Sequence, residues 1–344
     1  MRLVPVKYLR VGSIIATDVL EDTGTLLIKK DQEVDAQMIQ SLKSLGLSNV
    51  YITDQFCYVS NEDVYQRDMN VLYGHFRELR DIGKRVMNNA TGITEIKRSY
   101  QIANDVITEV RKHGDFRLMY EPPKYFGDDY IEETIYMAII ATKLGMLMGL
   151  ARGDLTNLFV ATLLRDIGLI SPKLFQVVEN VEEHPLIGAD FLEKTYKLDK
   201  GVIRTIREHH EVADGTGFPN SLKGKQISKL AHILGLVEKY FELWGDYDPV
   251  LNSQHAFNQK LKATFRKYDI EVLRYFLANI ELFPLNTMVK LSDGNEAVVI
   301  KQVYFNFFSP EVGLIDRRTG EMGRKLSLVD NPTIRIANII YYIS

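Results

Sequence analysis

Across residues 124 to 283 apolar positions return every three to four residues in successive stretches, the spacing of helices that bury one face. Gly153-Asp154, Ser171-Pro172, His184-Pro185 and the Gly/Pro-rich run from Asp214 to Pro219 punctuate them. Before and after this region the period shortens. Ile14 to Leu20 and Thr25 to Lys29 are β-prone runs around Glu21-Asp22-Thr23-Gly24, which predicts a hairpin. Asp35 is placed to cap a helix carrying Met38, Ile39, Leu42 and Leu45, with Gly46 as its stop, and Asn49 to Thr53 resumes as strand. Residues 61 to 113 carry two apolar stripes. Val64, Val71, Leu72, Phe76, Leu79, Ile82 and Val86 form the first, and Ile96, Ala103, Val106, Ile107 and Val110 the second, an antiparallel helix pair. Glu121-Pro122-Pro123-Lys124 breaks helix and marks a boundary. Past Pro284, Met288 to Leu291 and Ala297 to Phe305 flank Ser292-Asp293-Gly294-Asn295, a hairpin signal, and Thr319-Gly320 marks another turn. The fold expected is mainly α: an α/β module over 1–60, a charged helix-pair connector over 61–123, a helical domain over 124–283 and a β-rich cap over 284–344.

Composition narrows the classes of function. With 42 Lys and Arg against 45 Asp and Glu, the formal charge of -3 argues against a polybasic nucleic-acid or membrane-surface binder. The stretch Tyr136 to Ala151 is greasy but interrupted by Lys143, and it falls short of the roughly 20 apolar residues that span a bilayer. Membrane insertion is not expected. Cys57 stands alone, so no internal disulfide forms, and the amino-terminal MRLVPVKYLR lacks the pattern of a secretory signal. A cytoplasmic location is expected.

Several polar residues fall on apolar faces of the helical region. Leu155, Phe159 and Leu163 form a stripe whose next member is Asp166, and Glu238 shares a face with Ala231, Leu234 and Phe241. A buried carboxylate requires a cation, a metal or several donors. Three histidines of the same region offer neutral ligands: His184 at a helix start, and His209-His210 at the end of a helix over Val202 to Glu211. Each alone is more often a hydrogen-bonded core residue than a ligand, so it is the set that points to a metal. The loop Asp214-Gly215-Thr216-Gly217-Phe218-Pro219 has glycines that admit backbone N–H groups close to an anion, and Phe218 offers a face for a base.

Taken in order, Arg165-Asp166-Ile167-Gly168, His184-Pro185-Leu186-Ile187-Gly188, His209-His210-Glu211, Asp214-Gly215-Thr216-Gly217-Phe218-Pro219 and Leu222-Lys223-Gly224 resemble the HD-GYP family. These are metal-dependent phosphodiesterases of the HD superfamily that hydrolyse cyclic di-GMP. The resemblance implies a helical HD-superfamily domain and an upstream module often fused to it. It also implies that the family's ligand positions are degraded here. The first histidine corresponds to Thr134, the histidine of the HD pair to Arg165, the following lysine to Leu169, the GYP tyrosine to Phe218, a later arginine to His232 and the final aspartate to Glu238. Such a mechanism uses two cations about 3.5 to 4 Å apart. The losses fall on one half of that centre; Asp166, His184, His209, His210 and Glu238 remain as candidate metal ligands, with Asp166 the residual catalytic group in an active protein. The expected cofactor is none or one ion of Fe, Mn or Zn, without a full two-metal centre. Arg165 has two readings: a permanent cation that stands in for the missing metal and neutralises Asp166 and Glu238, or a side chain that snorkels to solvent.

Two functions follow as expectations. The first is a catalytically inactive signalling protein that senses cyclic di-GMP or docks a protein such as a diguanylate cyclase domain or a motility regulator. Its ligand or partner loop would comprise Asp214, Gly215, Gly217, Phe218, Pro219, Lys223, Lys225 and His232. The second is a weak mononuclear phosphodiesterase acting on cyclic di-GMP or a related phosphoester. The charged helix pair offers a contact or homodimer surface, or is a solvated connector; no nucleic acid is expected as a partner.

Overall fold

The greasiest stretch of the chain becomes the helix Asp129–Leu147, whose Ile135, Ala138, Ile139, Ala141 and Leu144 are buried in the main apolar core. The computed structural model describes residues 1–20, 26–60, 75, 78–85, 92–112, 118–119, 129–245, 247, 252–303 and 306–343. Around this helix pack Arg152–Leu164 and Lys229–Gly245, with His184–Tyr196 and Lys200–Glu208 outside them as a second layer. Gln254–Phe265 and Ile270–Asn279 complete the helical part. Among the described residues no helix is long and apolar enough to cross a membrane.

Two helix limits differ from the sequence expectation, and both differences fall at the site. Arg152–Leu164 buries more than one face, with Leu155, Leu158, Phe159, Val160 and Ala161 fully buried, so no single stripe leads on to Asp166. The helix ends at Leu164, and Asp166 stands ahead of a separate short helix, Ile167–Ile170. Likewise Lys200–Glu208 ends before the histidine pair, with His209 as its cap residue. Turns, not helix faces, aim these side chains.

The amino-terminal module is a three-stranded antiparallel sheet with Asn49–Thr53 between Arg2–Pro5 and Ile14–Ile15, covered by the helix Ala36–Ser44. Asp35 caps that helix as the sequence predicts, accepting from the Met38 amide at 2.7 Å. Val19–Leu20 pairs antiparallel with Leu26–Ile28, the two arms of the expected hairpin. At the carboxyl end five antiparallel strands run in the order Met322–Ser327, Glu311–Ile315, Glu296–Lys301, Met288–Leu291 and Ile336–Ile339. The Asp293-Gly294 turn joins the second hairpin partners as predicted, with Gly294 at φ +89.

Ile93–Lys112 carries the second connector stripe: Ile96, Ala103, Val106 and Val110 are buried, together with Leu79 and Ile82, in the same core as the helical domain. The hairpin turn Glu21–Gly24, most of the first connector stripe (Val64, Val71, Leu72, Phe76 and Val86) and the break Glu121–Lys124 lie outside the described residues. The fold class is the one the pattern predicts, mainly α with a small α/β module before it and a β-rich cap after it.

Candidate metal centre

Asp166, His184, His209 and His210 come together with one potential ligand atom each, all within 4.8 Å of one another. Three segments distant in sequence supply them, and glycines set their spacing. A methyl group on Gly168 would lie 2.6 Å from the His184 carbonyl oxygen, and one on Gly235 would lie 2.5 Å from that of His209. Only a residue without Cβ lets these backbones touch, which seats Ile167–Ile170 against His184 and Lys229–Gly245 against the histidine pair.

The ring orientations are fixed from behind. His184 Nδ1 lies 2.6 Å from the Val181 carbonyl and His209 Nδ1 lies 2.7 Å from the Ile206 carbonyl. A carbonyl only accepts, so each Nδ1 carries the proton and each Nε2 turns a lone pair into the cluster, the arrangement that prepares imidazole for a metal. The two Nε2 atoms are 3.4 Å apart, and Asp166 Oδ1 is 3.2 Å from the first and 3.6 Å from the second. Three electron-pair donors therefore face one point and need a cation there, either an ion or a proton. Glu238 Oε2 adds to that demand: it is buried without a hydrogen-bond partner and lies 3.8 Å from His210 Nδ1. The residues present thus fit one metal ion.

Protons compete for the same lone pairs. Burial works against a charged His209, but the hydrogen bond to Asp166 and the charge of Glu238 outweigh it and move its pKa up. Burial and the charge of His209 push His210 down to about 2, so it stays neutral and available as a ligand. The Phe218 ring leans over His210 at 4.5 Å between centroids.

Arg165 lies directly beside this cluster. Arg165 is 3% exposed and turned inward, which excludes the snorkelling alternative. Its Nε donates to Glu238 Oε1 at 2.6 Å, its Nη1 to Thr134 Oγ1 at 3.0 Å and to the Thr162 carbonyl at 3.1 Å, and its Nη2 pairs with Asp166 Oδ2 at 3.1 Å. Burial opposes the charge, yet Asp166 and Glu238 outweigh it and the guanidinium pKa moves up. Asp166 responds in kind: burial works to raise it, while the Arg165 charge and, when the cluster holds a proton, hydrogen bonds from His184 and His209 hold it well below the usual carboxylate range.

Other sequence-selected residues lie elsewhere. Glu238, expected among the metal ligands, is not part of the donor cluster because Arg165 takes one of its oxygens. His232, expected on the ligand surface, is buried with Nε2 3.0 Å from the Gly224 carbonyl, where it holds a turn. Lys223 and Lys225 are exposed, and the Lys223 stem lies across Gly215, where a methyl would sit 2.4 Å from its Cε. Asp214 closes its own loop, accepting from the Thr216 amide at 2.9 Å and hydroxyl at 2.7 Å. Leu169 is half-buried on the short helix after Asp166.

One contributor escaped the sequence reading, and another, Glu211, stood there only as part of a motif with no role assigned. Tyr130 donates from its hydroxyl to Asp166 Oδ2 at 3.2 Å, and the Arg165 guanidinium sits 5.5 Å above its ring. Its position four residues before Thr134, on the same helix face, was the available signal. Glu211 is almost fully buried and accepts from the amides of Asn220 at 2.7 Å and Leu222 at 2.8 Å, pinning the glycine-rich loop beneath the site.

A helical domain whose turns gather an aspartate and three histidines from distant segments defines a class, and comparison with known proteins agrees. The HD domain family matches residues 123–272. Residues 123–272 are thus an HD domain, and the HHE and DG-x-G-F-P motifs that resemble the HD-GYP family lie inside them. It is 28% identical over 190 residues to cyclic di-GMP phosphodiesterase PdeB of Borreliella burgdorferi, covering 52% of this chain and 50% of that protein. It is 29% identical over 134 residues to cyclic di-GMP phosphodiesterase PA4108 of Pseudomonas aeruginosa, covering 38% of this chain and 32% of that protein. The match thus spans half or less of the length of these relatives. Among solved structures, Bd1817, an HDG"Y"P protein from Bdellovibrio bacteriovorus, aligns over 80% of this chain and 97% of its own, with a TM-score of 0.46 and 16% identity.

Proposed function

We propose that this chain is a cyclic di-GMP signalling protein that acts by binding rather than by hydrolysis. One observation carries the reading: at the position where the family resemblance puts the histidine of the HD pair, the Arg165 guanidinium engages Glu238, Asp166 and Thr134 together. A dication beside a buried guanidinium loses the carboxylates that would compensate it. Asp166, His184, His209 and His210 are the residues that would hold a single ion of Fe, Mn or Zn. When bound, such an ion polarises a phosphoryl oxygen and lowers the pKa of a bound water; in this reading it orders the site and orients a ligand. Cyclic di-GMP is the ligand proposed, on the strength of the two relatives named as its phosphodiesterases. The loop from Asp214 to Pro219, pinned by Glu211, is the surface offered to a protein partner such as a diguanylate cyclase domain or a motility regulator. A cytoplasmic setting suits both.

The second reading, slow hydrolysis through one ion, is favoured by the orientation of His184 and His209 toward a shared point. Purified full-length chain, loaded with Mn, Fe or Zn, is assayed for cyclic di-GMP breakdown and, by calorimetry, for binding. Binding without turnover is expected. Metal-dependent turnover that vanishes in a His209→Ala/His210→Ala double variant would establish the hydrolase instead.

A further inference from the structure

We propose that the site is built for a single ion of the zinc class, and that Arg165 is the positioning residue that limits it to one; this rests on the binding-type reading above and specifies its metal. The two oxygens of Asp166 are committed to different neighbours. Oδ1 faces His184 and His209 at 3.2 and 3.6 Å, while Oδ2 is closed off by Arg165 at 3.1 Å and the Tyr130 hydroxyl at 3.2 Å. Held in this way, the carboxylate has one oxygen to give. It cannot chelate through both, and it cannot bridge to a second ion.

Arg165 is anchored on every side that the second ion would use. Glu238 Oε1 takes its Nε at 2.6 Å, and Thr134 and the Thr162 carbonyl share its Nη1 at 3.0 and 3.1 Å. Replacing that network by a dication would leave a buried guanidinium beside a like charge. Glu238 is tethered by the same contact, so its unpartnered Oε2 stays beside His210 as an acceptor for a proton or water.

What remains is three imidazole nitrogens and one carboxylate oxygen. The three edges among Asp166, His184 and His209, 3.2, 3.4 and 3.6 Å, bracket the ligand-to-ligand spacing of a four-coordinate ion with bonds of about 2.0–2.1 Å, and His210 completes a set whose atoms lie within 4.8 Å of one another. An imidazole-rich set with a single oxygen does not gather the several oxygen donors by which manganese is preferred, and the general affinity order places zinc above manganese and iron.

The test uses the full chain, stripped with chelator and then exposed without oxygen to equimolar Mn(II), Fe(II) and Zn(II), with bound metal read by mass spectrometry. One zinc per chain is expected. Cobalt(II) substitution gives a second readout: the intense visible absorption of a four-coordinate site in the wild type, and in Arg165→Met a weak spectrum of higher coordination as Asp166 regains its second oxygen. Tyr130→Phe removes a single hydroxyl from Oδ2 and is expected to shift the cobalt spectrum in the same direction by less. Two ions in the wild type, retention of manganese or iron over zinc, or an unchanged cobalt spectrum in folded Arg165→Met would overturn the proposal; if that variant does not fold, an unchanged spectrum in Tyr130→Phe does so. The outcomes separate the two levels of inference. Turnover of cyclic di-GMP by a one-zinc protein sinks the binding-only function and leaves this assignment standing, whereas ligand binding by a protein that refuses zinc does the reverse.

Discussion

At the scale of single residues, Arg165 holds two largely buried carboxylates beside the histidine cluster, and its removal tests stability independently of metal. Glu238 and Asp166 have side chains only 14% and 12% exposed, and Arg165 pairs with both. Losing one member of a buried ion network costs about 3–5 kcal/mol, because the remaining charges are left uncompensated. Arg165→Leu is therefore expected to lower the urea-unfolding free energy by about that amount, and Arg165→Leu/Glu238→Leu to recover part of it. His210 supplies a pH test on metal-free protein. Its folded pKa of about 2 lies below the ordinary histidine value near 6.5. The unfolded chain takes up a proton as the pH falls through 6.5 and the folded chain does not, so the contribution is complete above that pH and is lost below it, on the order of 1 kcal/mol per pH unit. His209 is shifted the other way. Its contribution is fully present below about pH 6.5 and fades only as the pH rises through the raised folded value, so it adds no slope on the acid side. Urea midpoints measured between about pH 6.5 and 5 should fall in the wild type and flatten in His210→Gln.

At the scale of elements, the loop beneath the site depends on one carboxylate. Glu211 accepts from two loop amides, Asn220 and Leu222, and is 1% exposed. Glu211→Ala leaves both donors without it, and faster hydrogen exchange at those two amides is expected while Asp166 and the histidines still bind metal; a loop that keeps its protection would show that other contacts order it. Gly235→Ala tests the helix contact instead, since the added methyl meets the His209 carbonyl at 2.5 Å. Overpacking of this kind costs about 1–3 kcal/mol, and both thermal stability and metal affinity are expected to drop. Punctuation and period made these elements legible in sequence: the Asp35 cap, the Asp293-Gly294 hairpin and the buried Asp129–Leu147 helix are all local signals. The candidate metal residues were legible as polar positions out of place. What was not legible is how they aim. Asp166 was read as a continuation of a helix stripe, yet the helix ends at Leu164, and Arg165 beside Asp166 is held by Thr134 and Glu238, far away in sequence. Tyr130 and Asp166 are 36 residues apart, and no local period announces their hydrogen bond.

At the scale of the whole molecule, the two ends of the chain close on each other. Phe56 packs with Met288, Val298 and Ile315, Tyr341 stacks on Tyr8 at 5.2 Å, and the Tyr342 hydroxyl lies 2.9 Å from that of Ser13. The clasp is Asn286, fully buried at φ +67 ahead of the Met288–Leu291 strand. Its Oδ1 accepts from the Val59 amide at 2.9 Å, and its Nδ2 donates to the carbonyls of Val59 at 2.8 Å and Met1 at 3.3 Å. One side chain thus satisfies three backbone groups of the amino-terminal segment, and asparagine is among the few residues that tolerate this left-handed backbone. Two substitutions separate these roles. Asn286→Gly keeps the backbone conformation and removes the side chain, leaving three backbone groups short of partners, a loss on the order of 3 kcal/mol. Asn286→Ala adds left-handed strain of about 1 kcal/mol to the same loss. Both should raise hydrogen exchange in Arg2–Pro5 and Asn49–Thr53 while leaving Asp129–Leu147 protected, because that helix sits in a separate apolar core. Equal loss of protection in the helix would mean that the clasp and the metal domain unfold as one cooperative unit.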